Sequence, residues 1–149
     1  MTLREYLNQA FYIDGLIRSN RLEVERLRAL ISFTPGSDLT KPLVRTQAQK
    51  RYLENTALKI AALEAVIQAE IDDLLELKKR IRRIINAVDN AKLRLILHKR
   101  YIELKKWHEI ANEMNYGIRR ITQLHGQAIA IAEEAVKKHC LLFPYEPMI

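Results

Sequence analysis

Apolar residues recur every seven positions through most of the first 88 residues of this chain, and that spacing leaves few ways to fold. Leu3, Ala10, Ile17, Val24 and Ile31 form one row. Tyr6, Ile13 and Leu27 form a companion row three places on, with Asn20 in its series. The stretch "SFTPGSDLTKP" interrupts the pattern. Beyond it, Leu53, Ile60, Ile67, Leu74, Ile81 and Val88 resume the spacing, with Leu63, Leu77 and Ile84 alongside and Ile71 and Ile85 widening the stripe. A seven-residue period gathers side chains on one stripe of an α-helix and drives helix against helix. The rows predict a first helix over Leu3–Ser32 and a second that starts near Leu43 to Thr46 and runs to about Val88. At the helical rise these span ~45 Å and ~60 Å, too long to be stable without partners. The short interruption makes an antiparallel hairpin the simplest pairing. Part of the second helix is then uncovered, so self-association or packing against the C-terminal region is expected. A polar residue such as Asn20 in an apolar row can fix register or partner number.

Composition agrees with long helices and narrows the partners. The four prolines fall in pairs, Pro35 with Pro42 in the interruption and Pro144 with Pro147 in the last segment. Leu, Ile, Ala, Glu, Lys and Arg dominate. Cys140 is the single cysteine, so no intramolecular disulfide can form, which fits a reducing compartment. Arg4, Glu5 and Asp14 interrupt any apolar run that could serve as a signal peptide. No apolar run approaches the ~20 residues of a membrane span, so no membrane partner is expected. Lys plus Arg number 25 against 18 acids, a net charge of +7. That balance points to a polyanionic partner.

The pattern changes after residue 88. Asp89 is placed as a helix cap, and "NAKLRLILHKRYIEL" puts Leu93, Leu97, Tyr101 and Leu104 on one face. A turn is expected at Glu103 to Lys105. Next comes a short helix, "KKWHEIANEM", with Trp107, Ile110, Ala111 and Met114 inward. After a break at Asn115-Tyr116-Gly117, a last helix over Ile118–Lys138 carries the row Ile121, Leu124, Ala128, Ile131 and Ala135. The expected fold is all-α: a long antiparallel, coiled-coil-like helical hairpin over 1–88, a small helix-turn-helix bundle over 89–140, and a tail over 141–149.

Trp107–Met114 and Ile118–Lys138 have the spacing of a DNA-reading helix-turn-helix. Two helices that cross steeply need a small residue at the closest approach, and Ala111 supplies it. The turn needs a residue that tolerates a left-handed conformation, and Asn115 does so. Ile121 is placed to plug the angle between the helices. Trp107, Ile110, Ala111, Asn115, Ile121 and Leu124 are therefore the expected motif core. On a helical wheel the opposite side carries Arg119, Thr122, Gln123 and Gly126, with Arg120 and Gln127 at its edge. Arg reads guanine edges in the major groove, Gln reads adenine, and Thr can meet the thymine methyl. Arg119, Thr122 and Gln123 are the expected base contacts. Lys92 to His125 holds eight Lys or Arg against three acids, a local balance of +5. Lys99, Arg100, Lys105 and Lys106 are expected to clamp phosphates, with His108, Arg120, Gly126 and Gln127 flanking. A glycine on the outward face suits a helix lying close to a sugar–phosphate wall.

"LRLILHKRYIELKKWHEIANEMNYGIRRITQLHGQAI" resembles the fourth conserved region of bacterial sigma factors, whose helix-turn-helix reads the upstream promoter element. The matching parts are the "L..RY" helix, the "EIA" of the first motif helix and the "I.Q...(A)I" run of the second. The stretch "YLNQAFYIDGLIRSN" resembles the start of small phage-encoded proteins of Gram-positive hosts, grouped with the ArpU- and RinA-type late transcriptional regulators. The sigma resemblance implies Arg119, Thr122 and Gln123 at base-contacting positions and Trp107 and Ile110 in packing positions. Asn115 stands where a glycine is usual, and Gly126 interrupts the recognition helix. Nothing resembles the promoter-melting region of a full sigma factor. The resemblances together imply a phage or prophage regulator in the bacterial cytoplasm that binds double-stranded DNA and recruits or modifies RNA polymerase, and the coiled N-terminal hairpin is expected to form a homodimer or to contact polymerase.

Other readings compete. The C-terminal region could be a plain three-helix bundle. A DNA-packaging recognition subunit of the small-terminase type also joins a helix-turn-helix to long helices, and would assemble into rings. A polymerase-binding protein could use the sigma-like shape without touching DNA. Enzymatic chemistry is not expected, since the chain has neither a phosphate-binding glycine loop nor a nucleophile elbow. Glu70, Asp72, Asp73 and Glu76 fall on the solvent side of the second helix and lack a pocket. His98, His108, His125 and His139 lack ligand spacing, and His139 beside Cys140 cannot chelate as a separated pair, so no metal or cofactor is expected. His108 and His125 are expected at the surface. The basic run "KKRIRR", Lys78–Arg83, surrounds Ile81 of the apolar row and is expected to be a solvated face.

Overall fold

A computed structural model describes residues 1–32 and 46–139. The expected interruption, the onset of the second helix near Leu43, and the tail over 141–149 lie outside the described residues. The fold is all-α. Its helices are α1 (Leu3–Ser32), α2 (Gln47–Asn86), α3 (Ala91–Tyr101), α4 (Trp107–Met114) and α5 (Ile118–His139). No described helix is long and apolar enough to cross a membrane. The helix ends follow from local chemistry. The Thr46 N–H donates to Gln49 at 2.9 Å and the Gln49 N–H donates back to Thr46 Oγ1 at 3.2 Å, a reciprocal cap. α2 stops two residues before the expected Val88, because the Ala87 and Val88 N–H groups tighten onto Ile84 and Ile85. The cap of α3 is Asn90 rather than Asp89: its side chain accepts from the N–H groups of Lys92 and Leu93 at 3.0 and 3.2 Å.

The described chain divides into two compact units. One is Gly15–Asp72, a pair of segments from α1 and α2. In it Asn20 donates to both oxygens of Glu70, at 3.0 and 3.2 Å, and Arg28 pairs with Glu64. Partner numbers fall as residue numbers rise, so the segments run antiparallel, as the short interruption between the heptad rows predicts. Ile17, Val24 and Ile67 are buried, whereas Leu53, Ile60 and Leu63 are half-buried. Asn20 thus spends its polar group on Glu70 within the chain.

The other unit joins Met1–Asp14 to the described residues from Asp73 onward. That differs from the expected division at 88/89. Leu3, Leu7, Ala10, Ile81, Ile84 and Val88 are all completely buried, as are Ile96, Leu97, Ile110 and Ile121. Each large aliphatic side chain contributes roughly 1.5–3 kcal/mol when removed from water. The ends of the two long helices therefore belong to the core of the C-terminal bundle. Four of the five expected positions of the α5 row, Ile121, Leu124, Ala128 and Ala135, are buried, and His125, Ile129, Ala132 and Val136 widen the stripe. Ile131 is 40% exposed, because at 100° per residue it falls just beyond the edge of that buried arc.

Candidate nucleic-acid interface

α4 and α5 meet through a three-residue turn. Asn115 adopts φ 57°, ψ 40°, the left-handed conformation expected of it. The Tyr116 N–H returns to the Ala111 carbonyl at 3.0 Å, which closes the end of α4. At the other end the Lys106 N–H donates to the Glu109 carboxylate at 2.7 Å. Ile110, Ala111, Ile121 and Leu124 are buried and Trp107 is half-buried, so the expected motif core is assembled. The turn before α4 carries a feature the sequence does not signal: Leu104 also takes a positive φ, 56°, with neither glycine nor asparagine to ease it.

α5 presents its polar side outward. Arg119, Arg120, Thr122, Gln123 and Gln127 are exposed, and Gly126 is half-buried. Neither Arg119 nor Arg120 forms an ion pair with another described residue. The Thr122 hydroxyl donates to the Arg119 carbonyl at 2.8 Å. A Cβ built on Gly126 would meet nothing within 4 Å, so packing within the chain does not demand a glycine there.

The expected phosphate clamps divide. Lys106 and His108 are exposed. Lys99 and Lys105 are not free cations: each lies 2.5 Å from a Glu113 carboxylate oxygen, and Glu103 adds contacts at 3.9 and 3.4 Å. The Lys99 side chain is only 15% exposed. Hydrogen bonds from Lys105 and then Lys99 hold the Glu113 carboxyl below the usual carboxylate range, and Glu113 holds Lys105 above the ordinary lysine value. Arg100 departs furthest from expectation. Its guanidinium carbon sits 4.3 Å from the ring centroids of both Phe11 and Trp107, and its Nη1 donates to the Lys105 carbonyl at 2.9 Å. Burial pulls its pKa down from the ordinary value. Arg100 is a packing residue that ties α1 to the turn before α4. Three of the four expected clamps thus serve the fold, because the fold places aromatic rings and a carbonyl beside Arg100 and carboxylates beside Lys99 and Lys105.

Comparison with protein-family models, with curated proteins and with solved structures finds no match.

His125, expected at the surface, is 5% exposed. Its Nε2 lies 2.7 Å from the Tyr101 hydroxyl, and its ring meets Trp107 edge-on at 4.6 Å between centroids. Burial pushes the imidazole down to about 4, with Arg4 and Arg100 adding repulsion. Burial likewise pushes the Tyr101 hydroxyl up to about 12. Each polar tip therefore satisfies the other in the neutral form. The wheel position of His125, four residues after Ile121 and three before Ala128, was the available signal. No group of three or more His, Cys, Asp or Glu among the described residues could hold a metal ion.

Proposed function

We propose that this chain is a sequence-specific double-stranded DNA-binding protein that regulates transcription of phage or prophage genes. The first turns of α5 enter the major groove, Arg119 and Gln123 meet base edges, and Thr122 offers its methyl. Lys106, His108 and Arg120 meet the backbone on either side. One observation carries the reading: Arg119, Thr122 and Gln123 stand exposed together on α5 while Ile121, Leu124 and Ala128 are buried beneath them, directly after a left-handed turn at Asn115. The net charge of +7 supports a polyanionic partner. The resemblance to sigma-factor region four supports a role at promoters, with RNA polymerase as second partner, in the cytoplasm of a bacterial host; the long coiled-coil-like hairpin of α1 and α2 supports a homodimer.

Selection of bound duplexes from a random pool, followed by titrations at several salt concentrations, tests this. The parent should enrich one sequence and bind it with a steep salt dependence. Arg119→Ala and Gln123→Ala should each cost ~1–3 kcal/mol on that sequence and relax the preference, and Lys106→Ala should weaken all duplexes alike. Enrichment of nothing, or equal binding of every duplex by parent and variants, would count against the reading. Capture of polymerase without any DNA shift would favour the polymerase-only alternative.

A further inference from the structure

The back of α2 carries a second apolar row that the antiparallel pair does not use. Leu58 is 69% exposed and Val66 is 47% exposed. Ala62 and Ala69, on the same stripe, are exposed as well. At 3.6 residues per turn these four fall within an arc of about 80°, roughly 130° away from the inner row of Ile60, Leu63 and Ile67. A helix that faces water normally carries charge on that side, and one that is apolar on both sides is covered on both. Exposed Arg51 lies beyond one end of the row and exposed Asp72 beyond the other.

We propose that this surface pairs with the same surface of a second copy, the two α2 helices running antiparallel about Ala62. The two-fold axis then brings Ala62 against the partner's Ala62, where a small side chain lets the helices approach closely. Leu58 covers the partner's Val66, and the reverse contact repeats it. Arg51 meets the partner's Asp72 at both ends. Parallel pairing would instead stack Arg51 on Arg51 and Asp72 on Asp72, two like-charge clashes. Charge complementarity therefore selects both the occupant and its direction. The proposal deepens the homodimer part of the reading above and is independent of DNA binding.

Cysteine cross-linking of the full chain in a Cys140→Ser background tests the geometry. Ala62→Cys should give a disulfide-linked dimer under mild oxidation. Leu58→Cys alone should not, because its copy lies about 12 Å away along the axis, beyond the roughly 7 Å that a disulfide spans between Cα atoms. Leu58→Cys combined with Val66→Cys should restore the link. In sedimentation equilibrium the parent should be a dimer, and Leu58→Glu should raise its dissociation constant roughly 100-fold. Leu58 is exposed in the single chain, so the variant's helical circular dichroism should not change. A monomeric parent, a ring-sized mass, an unaffected Leu58→Glu dimer, or Leu58→Cys linking as readily as Ala62→Cys would each overturn the proposal. Duplex selection on the same samples separates the two ideas: a monomer that still enriches one sequence removes this surface and leaves the DNA reading standing.

Discussion

His125 is the residue whose environment most alters its chemistry. In the unfolded chain its imidazole takes a proton near the ordinary 6.5; in the folded chain it does so only near 4. The unfolded state therefore binds more protons between those values, and stability rises with pH across that window. The contribution is complete above pH 6.5 and is lost as pH falls to about 4, on the order of 2–3 kcal/mol in all. Urea denaturation at pH 7 and pH 4.5 should show that loss in the parent, and His125→Phe should lose measurably less. Gly126 offers a second residue-scale test. Its Cβ position is open, so Gly126→Ala should stabilise the helix by about 1 kcal/mol, read as a higher thermal midpoint. If α5 lies against a sugar–phosphate wall, the same variant should bind duplex DNA more weakly. A gain in stability with unchanged DNA affinity would remove the wall from the picture.

At the scale of elements, α4 is held by its charges. Glu113 bridges Lys99 at the end of α3 and Lys105 in the turn, both at 2.5 Å. The bridge fixes α4 against the segment before it and also neutralises two cations beside the motif. Glu113→Gln should release them. On the DNA reading, affinity for every duplex should rise, and the dependence of log affinity on log salt should steepen by about 1–2 units. Filter binding over a salt series measures this. An unchanged slope would mean that Lys99 and Lys105 stay turned away from the phosphates.

At the scale of the whole molecule, the bundle that carries α5 is built from both ends of the sequence. Leu3, Leu7 and Ala10 of α1 and Ile81, Ile84 and Ile85 of α2 are buried in the same compact unit as Ile110 and Ile121. Residues 89–140 alone should therefore fail to give cooperative unfolding. A Leu7→Ala substitution in the full chain should lower the stability of that unit by roughly 2–4 kcal/mol. Thermal unfolding followed by tryptophan fluorescence reports on it directly, since Trp107 lies in the unit. A fragment 89–140 with a sharp transition would show that the long helices are dispensable to it.

Periodicity determined the helices and the outward set on α5, the short interruption between the rows determined their antiparallel pairing over Gly15–Asp72, and the identity of Asn115 determined the turn. Spacing along a helix dictates which side chains share a face, so those features are local and legible. Long-range neighbours are not. Arg100 lies between Phe11 and Trp107, His125 meets Tyr101, and Glu113 claims Lys99 and Lys105. Each depends on segments brought together from far apart in the chain, and a cation's choice between phosphate and protein is set by what the fold places beside it. Tertiary structure decided which basic residues remain free, and it moved the expected boundary at 88/89, because apolar rows bury wherever the packing closes rather than where the pattern changes.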